Sequence, residues 1–274
     1  MSNIAFGQYY PAQSPVHRLD PRAKVIMAIL YIVCTFLCKN AISFAVLTAS
    51  ALCLILCSHL PLKMILRSLR PILFIIAFTS VINVFMTKGE HLLTPPEWKL
   101  QIYAEGIWNA VFMILRITVL IIATGVFLTY TTTPIALTDA LEQLLSPLKK
   151  LKVPVHDFAM MMTIALRFIP TLTEETEKIM NAQRARGANF TSGSLMKRAK
   201  ALIPILIPLF VSAFNRAFEL AAAMECRCYH GDEGRTRLKI LKYSWVDFAA
   251  IIAVLALGVG LIFLNGVSIG PRMK

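Results

Sequence analysis

Charge is scarce in this sequence: Asp, Glu, Lys and Arg make up 16% of 274 residues, and 15 are acidic against 28 Lys and Arg. A soluble domain usually carries about 25% charged residues, and here 57% of the chain is hydrophobic, with a mean hydropathy of +0.66. The composition is that of a polytopic membrane protein. Phosphate-cradling sequence is also absent. No Gly-x-x-x-x-Gly-Lys-Ser/Thr run occurs, and the nearest Gly/Ser cluster, Gly187–Ser194, has no lysine in the required place. ATP chemistry, if used, must come from another chain.

Catalytic side chains are sparse as well. The five histidines, His17, His59, His91, His156 and His230, are scattered over ends and loops, with no His-x-x-x-His pair. Glu174 and Glu175 are adjacent, which on a helix points them about 100° apart. A polytopic membrane enzyme is therefore the weaker alternative. A channel would rest on Arg116, the one cation in the fourth apolar run, and would leave the long charged segment after it unexplained.

Six cysteines occur. Cys34/Cys38 and Cys53/Cys57 are i, i+4 pairs that could supply four thiolates to a metal, and Cys226-x-Cys228-x-His230 has three possible ligands. Small apolar packing is the preferred reading for the first four, and the last spacing fits no common zinc module. Free thiols and no metal are expected. The net charge of +13 lacks the interleaved aromatics and glycines of a single-strand binder, so no nucleic-acid partner is expected.

What is present is apolar run after apolar run: Val25–Cys38, Ala41–Leu60, Ile72–Met86, Gly106–Tyr130 and Trp245–Leu264. A span needs ~20 such residues, so the expected architecture is all-α and polytopic, with about five transmembrane helices. Lys and Arg concentrate on one side. Arg18, Arg22, Lys24, Lys63, Arg67 and Arg70, with 16 more between Thr131 and Ser244, face Lys39, Lys88, Lys99, Arg272 and Lys274. The positive-inside rule makes the first group cytoplasmic. The start, Met1–Pro21, has no hydrophobic core before a small-residue cleavage site and is expected to carry no signal peptide. Residues 1–22 read as a cytoplasmic segment, 23–132 as helices one to four, 133–244 as a cytoplasmic or interfacial helical domain, and 245–274 as the fifth span with its tail.

Within that domain, Thr133-Pro134 opens a short amphipathic helix that stops at Ser146-Pro147. Lys149, Lys150 and Lys152 form a basic knot suited to water or lipid headgroups. A long helix should run from Val155 to about Arg186, roughly 45–50 Å, kinked or split at Pro170. A second limb runs from Ala201 to Arg227, in which Ala201–Phe214 alone is a 14-residue stretch, nearer a buried or interfacial helix than a full span, with a sixth and seventh span as the alternative. Both limbs are apolar first and charged at the tip, ending in Gln183-Arg184-Ala185-Arg186-Gly187 and Glu225-Cys226-Arg227-Cys228-Tyr229. A planar, permanently charged arginine at a helix end suits docking on an acidic partner, and helix capping is the plainer account.

Gly7-Gln8-Tyr9-Tyr10-Pro11, Ser14-Pro15-x-His17-Arg18-Leu19-Asp20-Pro21-Arg22, Ser146-Pro147-Leu148-Lys149-Lys150-Leu151-Lys152-Val153-Pro154 and the two arginine tips together resemble the transmembrane T component of energy-coupling factor transporters, over essentially the whole chain. The resemblance implies two coupling helices, each ending in Ala-Arg-Gly, whose arginines enter grooves on two ATP-hydrolysing subunits. Ala185-Arg186-Gly187 matches residue by residue. Cys226-Arg227-Cys228 keeps the arginine and replaces both small partners, which leaves Gly231 as another possible helix stop. It further implies a small substrate-capture membrane subunit, dedicated or shared, in a prokaryotic plasma membrane. Vitamins are the commonest cargo of shared scaffolds, and cobalt or nickel ions the alternative. ATP and magnesium belong to the partner ATPases, and no cofactor to this chain. Met160, Met161 and Met162 read first as ordinary packing, and second as an adaptable surface for capture subunits.

Overall fold

A computed structural model describes residues 9–87, 103–190, 194–231 and 241–266, except the side chain of Leu195. Gly7, Gln8, His91 and the cations Lys88, Lys99, Arg235, Arg237, Lys239, Arg272 and Lys274 lie outside the described residues. All regular elements described are helices: α1 Pro15–Arg18, α2 Pro21–Leu37, α3 Ala41–Ser58, α4 Leu62–Leu69, α5 Leu73–Met86, α6 Ala104–Thr124, α7 Pro134–Leu144, α8 Val155–Ala185, α9 Leu195–Cys226 and α10 Trp245–Gly266. The chain divides into two compact units, Met1–Ala140 with Ile240–Lys274, and Leu141–Lys239.

In the first unit, two cap-and-proline starts set the opening turns. Ser14 accepts the His17 N–H with Pro15 at the first helical position, and Asp20 accepts the Arg22 N–H ahead of Pro21. α2 therefore begins at Pro21 rather than at the first uninterrupted apolar residue, Val25. The core lies among α2, α3, α6 and α10, where Tyr31 donates to the Leu47 carbonyl at 3.0 Å, and Phe44 stacks on Phe112 at 5.0 Å. Two glycines bring helices close: a Cβ at Gly258 of α10 would sit 2.9 Å from Cys34 Sγ of α2, and one at Gly106 of α6 3.0 Å from the Val84 carbonyl oxygen of α5. Cys34 and Cys38 are buried while Cys53 and Cys57 are exposed. Arg116 donates to the Cys38 carbonyl at 3.0 Å with its guanidinium 5.4 Å from the Phe44 ring, a structural contact.

α6 continues as a π-helix, Gly125–Tyr130, before the chain leaves for α7. Thr133 caps α7 by accepting the Ala136 N–H at 3.3 Å. Among the described residues, four helices are long and apolar enough to cross a membrane: Ala41–Ser58, Ala104–Tyr130, Met196–Cys226 and Trp245–Gly266. Leu62–Leu69 and Leu73–Met86, bent by 57°, make a fifth if taken as one span. The protein is a polytopic helical membrane protein. α2, at 17 residues, is shorter than expected of a full span.

Candidate functional site

The second unit is built on α8 and α9. A 3-10 turn, Ser146–Leu151, ends at Lys152 in the left-handed region (φ 61°), and His156 Nδ1 pairs with Glu142 at 2.7 Å, so the Ser146–Pro154 link is held on both flanks. α8 is one helix of 31 residues with Pro170 inside it, so of the kink or split expected there the split does not occur. α9 is one helix of 32 residues, so the 14-residue apolar stretch is not an element of its own. Pro204 and Pro208 both sit exposed, four residues apart on one helix face, where missing N–H groups leave carbonyls open to the outside rather than in a packed interior.

The two helices run antiparallel where they meet. Arg216 of α9 donates to Glu175 of α8 at 3.1 Å, and the Ser212 hydroxyl, with the Arg216 charge, holds the Glu175 carboxyl below its usual range. Glu174 is exposed, so the adjacent carboxylates do not act as a pair. Sequence reasoning missed this contact, and the signal that could have found it is Arg216 itself, a lone cation in a long apolar run. Further along, a groove of about 600 Å³ opens between Met160, Ile164, Leu220, Met224, Arg227 and Cys228.

Both helices end in the same way. At α8, the Ala188 N–H reaches the Gln183 carbonyl at 2.9 Å and the Gly187 N–H the Arg184 carbonyl at 2.9 Å. At α9, the Tyr229 N–H reaches the Met224 carbonyl at 3.1 Å and the Cys228 N–H the Glu225 carbonyl at 2.9 Å. These are paired 6→1 and 5→2 bonds of a Schellman cap. Arg186 and Arg227 occupy the same cap position, with φ −83° and ψ 6° against φ −92° and ψ 13°. The following residues, Gly187 at φ 87° and Cys228 at φ 54°, are both left-handed. The helix stop at α9 is thus Cys228 itself, and Gly231 (φ 89°) turns the chain only afterwards. Cysteine stands where the backbone favours glycine.

Ala185, Arg186, Gly187, Cys226, Arg227 and Cys228 are all exposed. The two arginines are not brought together: Arg227 lies beside Met160 near the start of α8, and Arg186 closes its far end. Met161 and Met162 are exposed, while Met160 is half-buried in the groove, so only the first of the three faces the second tip.

Comparison with known proteins gives the arrangement its family. The family described as cobalt transport protein, CbiQ, matches residues 12–238. The energy-coupling factor transporter transmembrane protein EcfT of Ruminiclostridium cellulolyticum is 50% identical over 266 residues, 97% of this chain and 96% of that one. The chain belongs to the energy-coupling factor transmembrane protein family. Family members from Brevibacillus brevis, 52% identical over 93% of this chain and 96% of theirs, and from Bacillus subtilis, 45% identical over 97% and 99%, are similar along the same length. The protein is therefore the transmembrane T component of an energy-coupling factor transporter, a multi-pass membrane subunit that works in a complex with that transporter's other components.

Proposed function

We propose that this T component is the scaffold through which two partner ATPases, docked one at Arg186 and one at Arg227, reorient a small substrate-capture membrane subunit. The observation that carries the reading is the duplicated helix end: two long helices, two arginines at the same cap position, each with a left-handed residue behind it. One cap of this kind is ordinary helix chemistry; two alike, both exposed, fit two copies or near-copies of one acidic groove. ATP and magnesium are bound by the ATPases, and this chain holds no cofactor. The N-terminus and the arginine tips of α8 and α9 are on the cytoplasmic side, supported by the distribution of Lys and Arg, while the apolar part of α9 suits the interface or the membrane.

The cargo belongs to the capture subunit. A vitamin-type micronutrient is the reading for this chain, since the family resemblance makes vitamins the commonest cargo of scaffolds shared by several capture subunits. The family description "cobalt transport protein" favours a transition-metal ion as the second reading. Glu174 is exposed and Glu175 is paired with Arg216, which takes away the carboxylate pair the enzyme reading rested on, and Arg116 in a structural contact removes the motive of the channel reading.

Purifying the tagged chain from its native membrane in mild detergent tests all of this. Two P-loop ATPases and at least one small hydrophobic membrane protein should copurify, and the identity of the small protein would assign the cargo. A chain that emerges alone would reduce both arginines to helix caps.

A further inference from the structure

The first unit contains a buried ionic cluster that packing does not require. Lys24 is 1% exposed and Asp247 is 2% exposed; Lys24 bonds to Thr131, nine residues before the first unit breaks off in sequence, and Asp247 follows soon after it resumes. At the outgoing connection, the π-wound end of α6 leaves carbonyls facing the N-terminal segment. Lys24 Nζ donates to the Thr131 carbonyl at 2.8 Å and to the His17 carbonyl at 3.2 Å, and the Tyr10 N–H donates to the Tyr130 carbonyl at 3.0 Å. The Thr131 hydroxyl takes up the Val126 carbonyl and the Thr132 hydroxyl the Phe127 carbonyl, at 2.8 and 2.9 Å.

At the returning connection, Asp247 accepts two backbone N–H groups. Ser244 donates to one oxygen at 2.7 Å, the N-cap end of α10, and Asp20 donates to the other at 2.8 Å. Arg22 forks onto the Asp20 carboxylate at 2.9 and 3.1 Å, and its guanidinium lies 3.9 Å from the Tyr243 ring. One short segment thus grips both ends of the chain that leads into and out of the unit bearing α8 and α9.

We propose that Tyr10–Lys24 is a strap that fixes both roots of that unit, so that a displacement imposed at its arginine tips moves the helices instead of being lost as slack in the two connections. This rests on the scaffold reading above. A buried ammonium and buried carboxylates carry a desolvation cost that a plain apolar contact would avoid, and their best-attested use is to enforce one register. π-helical turns are likewise frequent at functional sites. Displacement passes through packed helices because such elements pivot rather than compress, and that requires a fixed base. Lys24 and Asp247 are accordingly positioning residues.

The test uses the assembled complex with fluorophores introduced by unnatural amino acids at exposed Lys39 and Glu177, leaving the six cysteines untouched. The probe is ATP against ADP, read as the change in energy transfer between the two labels alongside the rate of ATP hydrolysis. Lys24→Met and Asp247→Asn should retain both ATPases and hydrolyse ATP at close to the wild-type rate, while the ATP-dependent change falls by half or more. Leu47→Ala, a core truncation away from the strap, should lower the melting temperature at least as much and keep the full change. Full amplitude in both strap variants, an equal loss in Leu47→Ala, or failure of both strap variants to assemble would each overturn the strap. Absence of ATPases from the wild-type preparation would instead sink the scaffold reading, and the strap with it.

Discussion

At Cys228, as at His59 and Lys152, a non-glycine side chain sits on left-handed backbone. An L-residue in the left-handed region crowds its Cβ against its own carbonyl, at about 1–2 kcal/mol, and glycine escapes that cost. Cys228→Gly is therefore expected to stabilise the end of α9 by about 1 kcal/mol after glycine's extra unfolded-state freedom is set against it. It should leave ATPase copurification intact. A scan of melting temperature on the purified chain checks the first part; a loss of ATPases would give the thiol a role that cap geometry does not supply. His17 offers a second residue-scale outcome. Its Nε2 lies 2.9 Å from the Tyr10 carbonyl and its Nδ1 2.7 Å from Ser14 Oγ, and burial above all pushes its pKa below the ordinary 6.5. The folded chain then favours neutral imidazole, so the stabilisation is complete above 6.5 and is lost as pH falls through the lowered value. Hydrogen exchange at the Tyr10 amide, corrected for the intrinsic rate, should accelerate between pH 7.5 and 5; no change would place His17 outside the hold on Tyr10.

At the scale of elements, local signals located some helices and missed others for identifiable reasons. α8 was legible to within a residue, because Pro154 and Gly187 punctuate it and both act through the backbone of their own turn. α9 was legible at its tip and not at its start: the limb was expected from Ala201, and the helix begins at Leu195, taking in Lys197, Arg198 and Lys200. Its two prolines are tolerated because both face outward, a fact of tertiary placement that no window of sequence contains. The start of α2 was missed because Lys24 reads as a boundary charge. Its partners are the carbonyls of His17 and Thr131, the second 107 residues away. The twin arginine tips were visible as a motif, but the cap they share required dihedral angles, and Gly231 was a reasonable alternative stop until Cys228 was seen to be left-handed. Close helix approach was equally invisible in sequence. Gly106 meets the backbone of α5, so a methyl there has no flexible neighbour to displace. Gly106→Ala should push α5 from α6 at a cost of about 1–3 kcal/mol, seen as a lower melting temperature in detergent. An unchanged melting temperature would mean the two helices adjust freely.

For the whole molecule, the decisive property is that the tips are far apart along one arm. Arg227 lies beside Met160, and the stretch of α8 from there to Arg186 is roughly 40 Å of helix at 1.5 Å per residue. No single groove of one partner reaches both. Each arginine should therefore hold its own ATPase, and reversing one charge should cost one partner before it costs the other. A buried, hydrogen-bonded interfacial charge is worth about 2–5 kcal/mol when its partner is left alone, and reversal adds repulsion to that loss. With ATP omitted, so that the ATPases are not clamped to each other, Arg186→Glu and Arg227→Glu should each give a complex short of one ATPase, and the double variant a complex with neither. Native mass spectrometry counts the subunits directly. Insertion of the chain should be unaffected, since both tips are exposed and outside the core of either unit. If either single reversal released both ATPases, the partners would bind as a preformed pair, and the two tips would be halves of one dock. If neither reversal released any, the arginines would be caps alone and the coupling surface would have to be sought elsewhere on α8 and α9.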